Sequence, residues 1–575
     1  MSSNLQTLQR RIQTPSPEGD GDTVAIGRNK ENSNTDAQQS GWHHLLLWGG
    51  LFVGALLLLF QPLAKPIWTD ESISIVWGER PLFDILLGRA TSADALPLHP
   101  LLIHITHTLF GDNLAAFRVA SALPSVIGLW FVYQLGRRFS DRVGLLALWL
   151  CALSPGLLLY DRMARYHGLT ALLSTMSVWA GLRLLDSGKV RDAVIYGLIT
   201  WLMLMSYFLS TFVVMAEVAC LLLLWRHEAV CRGRWLLLGA VCAAGALFLP
   251  FLIHGVSTAS NSDMTKVAVE DPEVGQGIGG FIRRFALPTY VYCVGETVYV
   301  WTWLASIPGV LAALGTYLLG ARTLWRNRRL EIILPITCLL VIFLSALATS
   351  GKFGAGQTLG SMAKRVSFAL PLFYVTQSIG IVSLLQSRLA NYRKAGLGLA
   401  AILLLVSIYS VSNYWRGREF LNPNYTAPWQ EVIATMDRVH PFGTDTFVFS
   451  RGELALDYYL KNTVNHDGRS AITPWADNNV WTPAHVERNL AEHSVHYIWL
   501  VGRDRGDRTA VDDFYRLNSY LSGRYRRIGT YGVMPRSASE TYYFKKVMKR
   551  DAAPYYIWMN LYDTTQKPAG EGAGA

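Results

Sequence analysis

Trp68-Thr69-Asp70-Glu71 follows closely on the first long apolar run of the chain, and acids beside a membrane-length segment are costly enough to demand a reason. Asp70 there can act as a general base, taking the proton of a hydroxyl as that hydroxyl attacks. It can equally cap a short following helix, with Glu71 in the first turn. Arg118 opens the next long apolar run; its planar fork suits a phosphate, and its long stem suits snorkelling to an interface. The densest polar stretch is Tyr160-Asp161-Arg162-Met163-Ala164-Arg165-Tyr166-His167, lying between two apolar runs. Arginines and an aspartate are hard to justify there as turn residues alone, so Asp161 and Arg165 are read as functional and Arg162 as a structural partner of Asp161. Lys364-Arg365 leads into a later run and offers further positive charge.

Other motifs carry less. Of His99, His104 and His107, only the last two share a helical face, and no HExxH spacing accompanies them, so hydrogen-bonded or interfacial histidines fit better than a metal centre. His99, before Pro100 at a helix start, is a candidate to line a cavity, as are Arg162, Tyr166 and His167. The glycine-rich stretch from Gly351 to Gly360 lacks the Walker pattern and its preceding strand. Cysteines are absent after residue 413, which argues against disulfides or a zinc ribbon in the C-terminal region.

These residues must be positioned by a membrane bundle. The chain is 575 residues long, 51% hydrophobic and 16% charged, a balance that one soluble core cannot bury. Its net charge of +11 is scattered through short loops instead of gathered into a stripe, which excludes a nucleic-acid surface. About eleven apolar runs have roughly the length needed to cross a bilayer. They lie near 43–61, 118–136, 143–160, 168–185, 192–208, 211–225, 235–254, 297–320, 331–349, 366–387 and 395–413. Every second loop is rich in Arg and Lys, for example Arg137-Arg138 and Arg326 with Arg328-Arg329. The positive-inside rule then puts the N-terminus in the cytoplasm and Asp70 on the far side. A break from Ser206 to Ser210 is where this count is weakest.

The expected fold is a polytopic α-helical membrane protein with a small C-terminal α/β extracytoplasmic domain. Residues 1–41 read as a disordered cytoplasmic tail and 42–413 as the transmembrane domain, with the first span a retained anchor. Its first outer loop, 62–117, holds short interfacial helices. Residues 414–564 form the outer domain, with a helix from Ala427 to Val439 and strands at Thr446–Phe449, Val495–Val501, Tyr525–Tyr531 and Thr541–Val547. Residues 565–575 form a flexible end.

In this order, Asp70-Glu71, His99-Pro100-Leu101, Phe110-Gly111, Phe117-Arg118-Val119-Ala120-Ser121, Gly136-Arg137-Arg138, Ser154-Pro155 and Ala164-Arg165-Tyr166 resemble the GT-C fold glycosyltransferases. The resemblance is to the bacterial relatives of protein O-mannosyltransferases and of lipid A aminoarabinose transferases. It is strongest over residues 68–185 and departs at Leu101, where the family has a second proline. It implies transfer of a hexosyl or pentosyl group from a polyprenyl-phosphate donor to a protein, lipid or glycan hydroxyl. Transfer would take place on the outer face of a membrane, the bacterial inner membrane for these relatives, with inversion. Asp70 would be the base, and Arg118 and Arg165, helped by Lys364 or Arg365, would neutralise the departing phosphate. Asp161 would orient the acceptor or an arginine, and Glu71 would fix the base or hold a divalent cation, which some of these enzymes require. A lipid or glycan transporter needs similar spans, but no internal repeat or interrupted mid-membrane helix is evident.

Overall fold

The computed structural model describes residues 30–89, 96–226, 228–231, 233–261, 278–327, 329–350, 362–450, 453–465, 483–492, 494–503, 508–535 and 555–567. Among these, eight helices are long and apolar enough to cross a membrane: Gly41–Leu59, Leu114–Arg137, His167–Ser187, Arg234–Gly255, Trp303–Arg326, Leu330–Ala348, Ala363–Leu385 and Ala390–Arg416. A ninth span arises if Asp141–Ala152 and Pro155–Asp161, bent by 56°, are taken together. Ser154 and Pro155 cause that bend: the Ser154 hydroxyl accepts from Leu157 N–H at 3.1 Å and Pro155 starts the new helix, the favoured residues for an N-cap and a first turn. Val190–Ser206 and Phe208–Leu223 are also helical but shorter. Length alone therefore supports eight or nine spans, fewer than the about eleven expected from hydropathy. The break expected at Ser206–Ser210 is real, with Tyr207 extended and a 3-10 turn over Phe208–Ser210. The span expected at 297–320 begins instead at Trp303, which leaves Gly295 to Thr302 as a connection between helices.

Glycines set the closest helix crossing. A Cβ on Gly320 would lie 2.0 Å from Thr376 O, and one on Gly380 would lie 1.9 Å from Thr316 O. The helices Trp303–Arg326 and Leu370–Leu385 thus meet backbone to backbone, as small residues permit in lipid.

The first loop carries the short helices expected of it, Thr69–Gly78, Leu82–Leu86 and Leu98–Phe110. Beyond the last span, the helix Trp429–Val439 precedes a four-stranded sheet: β1 Thr446–Ser450, β2 Tyr497–Arg503, β3 Arg526–Pro535 and β4 Tyr555–Asp563, in the order β1-β2-β4-β3. β1 runs parallel to β2, and β4 is antiparallel to both its neighbours. Three of these strands match sequence expectation; β4 was not foreseen, and Thr541–Val547 lies outside the described residues.

Alternation along the strands gives the sheet two apolar faces. Phe447, Phe449, Ile498, Leu500 and Tyr562 pack with Leu517 and Leu521 of the helix Arg508–Arg524. On the other face, Val448, Trp499, Val501, Met559 and Leu561 share one core with Trp429, and also with Ile67, Ile75, Ile103, Phe117 and Ala164 of the membrane part. The C-terminal domain is therefore packed into the loop that carries Asp70. Ile67 N–H donates to the Tyr459 hydroxyl at 3.0 Å, and Lys461 reaches Glu79 at 3.1 Å and Asp112 at 3.3 Å.

Within this domain, burial pushes the Asp457 carboxyl up to about 7, and the charge of Glu453 adds to it. A carboxyl whose folded value is raised stabilises the fold fully at acid pH, and that contribution is lost as pH rises from the unfolded value towards 7. Asp457→Asn is expected to raise the thermal midpoint by a few degrees at pH 8 and to leave it unchanged at pH 4, as read from melting curves at both pH values.

Candidate active site

Thr69–Gly78 is the element that aims the acidic pair, and its two acids part company. Glu71 turns back into the protein. Its Oε1 accepts from Arg118 Nε at 2.8 Å and from Ala164 N–H at 2.8 Å; its Oε2 accepts from Arg118 NH2 at 2.8 Å and from Trp68 N–H at 3.0 Å. These four donors saturate a carboxylate. Arg118 is saturated too: beyond Glu71, NH1 donates to Pro62 O and Lys65 O at 2.8 and 2.7 Å, and NH2 to Pro66 O at 2.9 Å. All five N–H groups of a guanidinium are then in use, and the pair is at most 5% exposed. The helix is capped through Glu71, not Asp70.

Asp70 faces the opposite way. Lys364 Nζ lies 2.5 Å from its Oδ2 and Arg165 NH2 lies 3.6 Å from the same oxygen. Burial alone would push the Asp70 carboxyl up, but the charges of Lys364, Arg165 and Arg365 outweigh it and hold the carboxyl well below the usual range. Lys364 also sits over the Trp68 ring, 3.9 Å from its centroid, a favourable cation–π position. Arg165 donates to the Ser74 hydroxyl at 2.9 Å and lies 4.8 Å from the Tyr166 ring centre, and Tyr166 in turn stacks on Tyr207 at 4.2 Å. Arg165 Nε is buried without a hydrogen-bond partner among the described residues.

The histidines line this cluster. His99 is buried, with Nε2 at 3.2 Å from the Ser121 hydroxyl; burial, then the Arg165 charge, lowers its value to about 3, so the ring is neutral. His167 is buried beside Tyr166, ring centres 4.7 Å apart, with Nε2 unpartnered among the described residues.

The other expected site residues stand apart. Arg162 does not pair with Asp161. It donates to Leu57 O, Leu58 O, Phe60 O and Gln61 O, placing a cation on the C-terminal carbonyls of the first span, where the helix dipole favours one. Asp161 faces a separate apolar pocket with Ser125, Leu129 and Cys151, away from Asp70 and its cations. Glu79, His107 and Asp112 do converge closely enough to hold an ion, but Lys461 already supplies positive charge to both acids. Glu71, with every lone pair used, has no place for a cation.

Gly295-Glu296-Thr297 only extends the family resemblance weakly, and Glu296 is not among the site residues expected from sequence. Glu296, in the connection before Trp303, is buried, and its Oε1 accepts from the Tyr160 hydroxyl at 2.6 Å. Burial pushes its carboxyl up to about 7, against the opposing pull of the Tyr160 hydroxyl, the Lys364 charge and a hydrogen bond with Tyr425. Gly295 makes that placement possible: its φ is +85°, and a Cβ there would lie 2.7 Å from Pro155 Cγ. Thr297 pins the other side by donating to Ser410 O at 2.7 Å. Gly295→Ala combines a left-handed backbone with a clash and is expected to cost about 1–3 kcal/mol, measurable as a lower midpoint in thermal unfolding of the detergent-solubilised protein. The sequence signal is Gly295-Glu296 next to an apolar run, an acid at the edge of the span that hydropathy places at 297–320.

Trp68, Lys65, Arg162, Met163, Tyr414 and Tyr425 enclose, with Glu71 and Arg118, a cleft of about 320 Å³ including its open mouth.

A family model described as dolichyl-phosphate-mannose-protein mannosyltransferase matches residues 94–254, a stretch that contains Arg118 and Arg165 but neither Asp70 nor Lys364. A search of curated protein sequences finds no match. Among solved structures, ArnT from Cupriavidus metallidurans in the apo state aligns with a TM-score of 0.51 and 12% identity, over 92% of this chain and 99% of that one. The oligosaccharyltransferase of Archaeoglobus fulgidus, tethered to an acceptor peptide containing the NVT sequon, aligns with a TM-score of 0.51 and 13% identity, over 91% and 88% of the two chains. At such identities the likeness concerns the fold, and it extends through the C-terminal sheet as well as the helices. By that architecture the chain has a GT-C-like fold, and residues 94–254 within it are similar to the mannosyltransferase model.

Proposed function

We propose that the protein is a membrane glycosyltransferase that moves a sugar from a polyprenyl-phosphate donor to an acceptor hydroxyl, with Asp70 as general base. The observation that carries this reading is the Asp70 carboxylate held between Lys364 and Arg165. It places a proton acceptor beside cations suited to an anionic leaving group. The mannosyltransferase match, whose description names dolichyl phosphate, supports a polyprenyl carrier, and the acceptor-peptide complex of the archaeal neighbour keeps a protein acceptor in view.

In this scheme the donor phosphate binds Lys364 and Arg165. Its negative charge draws the cations away from Asp70, whose basicity rises as the donor is seated. The acceptor oxygen then bonds to the anomeric carbon, and the bond from that carbon to the phosphate oxygen breaks. The electron pair leaves with polyprenyl phosphate, and the acceptor proton passes to Asp70. A single displacement of this kind inverts the anomeric centre. Arg365 contributes charge, and His99, Tyr166 and His167 wall the donor side. Arg118 and Glu71, having spent their hydrogen bonds on each other and on the loop, are assigned to holding that loop. No divalent cation is required by this donor set.

The orientation that follows from the basic loops puts the site on the extracytoplasmic face, with the N-terminus in the cytoplasm. A transporter would need charged groups spread along its passage, whereas Asp70, Arg165 and Lys364 all lie next to helix ends. The test is to supply the purified, lipid-embedded protein with a polyprenyl phosphate carrying a radiolabelled sugar and a mixture of peptide, lipid and glycan acceptors. Label moving to an acceptor supports transfer; label crossing the bilayer still attached to its carrier supports the transporter.

A further inference from the structure

The first and last spans, Gly41–Leu59 and Ala390–Arg416, end close together, where the Phe60 and Trp415 rings meet edge to face at 6.2 Å. The cleft of about 320 Å³ beside them is lined by Lys65, Arg118, Arg162 and Glu71, three cations and one acid. Arg118 and Glu71 cancel each other. That leaves Lys65 and Arg162, and among the described residues neither has a carboxylate within ion-pair distance. Arg162 is 5% exposed; its terminal nitrogens donate to neutral carbonyls of the first span, and its guanidinium lies 4.7 Å from the Trp415 ring centre. Lys65 is half-buried. Its Nζ donates to Trp415 O at 3.4 Å and lies 5.3 Å from the Tyr414 ring centre and 5.6 Å from that of Phe420. Both cations thus meet the carbonyl end of a span, but a helix C-terminus offers only about half a negative charge, so about one positive charge is left over in the cleft. The Lys65 ammonium feels that excess: burial, then the Arg162 charge, lowers its value to about 8. An ammonium has three donors, and among the described residues only Trp415 O accepts from this one. Lys65 can therefore serve an outside anion. Phe60 and Leu63, 51% and 59% exposed, precede it in the chain, and Trp68, Tyr414 and Trp415 give the aromatic setting of the headgroup level. An anion that arrives with an apolar tail fits both the charge and the flank.

We infer that the cleft between Lys65 and Arg162 binds the phosphate of an anionic phospholipid, with Lys65 donating to its oxygens, Arg162 supplying charge, and Phe60 and Leu63 meeting an acyl chain. The single negative charge of a phosphodiester with an uncharged headgroup balances the cleft. Basic pockets between membrane helices hold headgroups in this way. The site is separate from the one proposed for the donor and does not rest on it. Trp68 is common to the two, lining the cleft while Lys364 lies over its ring.

The experiment titrates the full chain in detergent with phosphatidylglycerol, with zwitterionic phosphatidylcholine and with undecaprenyl phosphate, and counts bound lipid by native mass spectrometry. The wild type is expected to hold phosphatidylglycerol about tenfold more tightly than phosphatidylcholine. Lys65→Gln should erase that preference, and Lys65→Arg, which keeps the charge, should retain it. A wild type without the preference, or Lys65→Gln that keeps it, would overturn the inference. Loss of the preference in Lys65→Arg as well would assign Lys65 a structural role and also overturn it. Inorganic phosphate that displaces phosphatidylglycerol at equal concentration would make the cleft a small-anion site and overturn the lipid as its occupant. Undecaprenyl phosphate weakened by Lys65→Gln as much as phosphatidylglycerol would put the donor phosphate in this cleft, and a separate lipid site would fall.

Discussion

Asp70→Asn should abolish measurable sugar transfer, lowering the rate by about 10²–10⁴-fold, while donor binding and thermal stability survive. The amide keeps the size of the side chain and can still accept from Lys364, but it cannot take the acceptor proton. Loss of the ion pair also frees Lys364 and Arg165, so affinity for bare polyprenyl phosphate should be equal to or higher than that of the wild type. That split between lost turnover and retained binding is the signature of a base. The measurement is single-turnover transfer beside a binding isotherm for the carrier; full turnover in the variant would remove Asp70 from the chemistry.

The second large effect is expected at Arg118. Its guanidinium and Glu71 are buried together, and removing one partner leaves the other uncompensated. Arg118→Leu should therefore cost about 3–5 kcal/mol and release the loop from Pro62 to Gly78 to proteolysis. Adding Glu71→Leu should recover part of that stability, because the orphaned charge disappears with its partner. Activity should follow the stability of the loop. Were Arg118 a phosphate ligand, Arg118→Leu would instead weaken the carrier with little change in the unfolding midpoint.

Much of the architecture was legible because lipid imposes a simple code: apolar runs, basic loops and a change of hydropathy after residue 413. The short helices of the first loop followed from periodicity, and the strands around Phe447, Trp499 and Gly529 from β-branched and aromatic runs. What hydropathy could not supply was depth. Glu296 lay at the edge of an apolar run, and only the left-handed Gly295 and the clamp of Thr297 on Ser410 reveal that the chain there is a connection entering the site. In the same way, charge beside apolar runs made Asp70, Arg165 and Lys364 separate candidates, and only the family resemblance joined them in one site. Charge could not separate them from Arg118 and Arg162, whose side chains are equally basic and equally near, because that distinction depends on which carbonyls the chain happens to bring within reach. Residue type sets what a guanidinium can do, and the tertiary inventory of acceptors sets what it has left to do it with.

The core that joins the sheet to the first loop also carries a consequence for biogenesis. Ile67, Ile75 and Ile103 leave the ribosome well before Trp499, Met559 and Leu561, with which they share a core. Until then the helix bearing Asp70 has an uncovered apolar face. The loop bearing Asp70 is thus covered only once β4 has been made, and a ribosome that stops before Tyr555 leaves a chain that is threaded into the membrane but unfinished at that loop. Inserting the bundle and arming the site are separate events in the life of this protein.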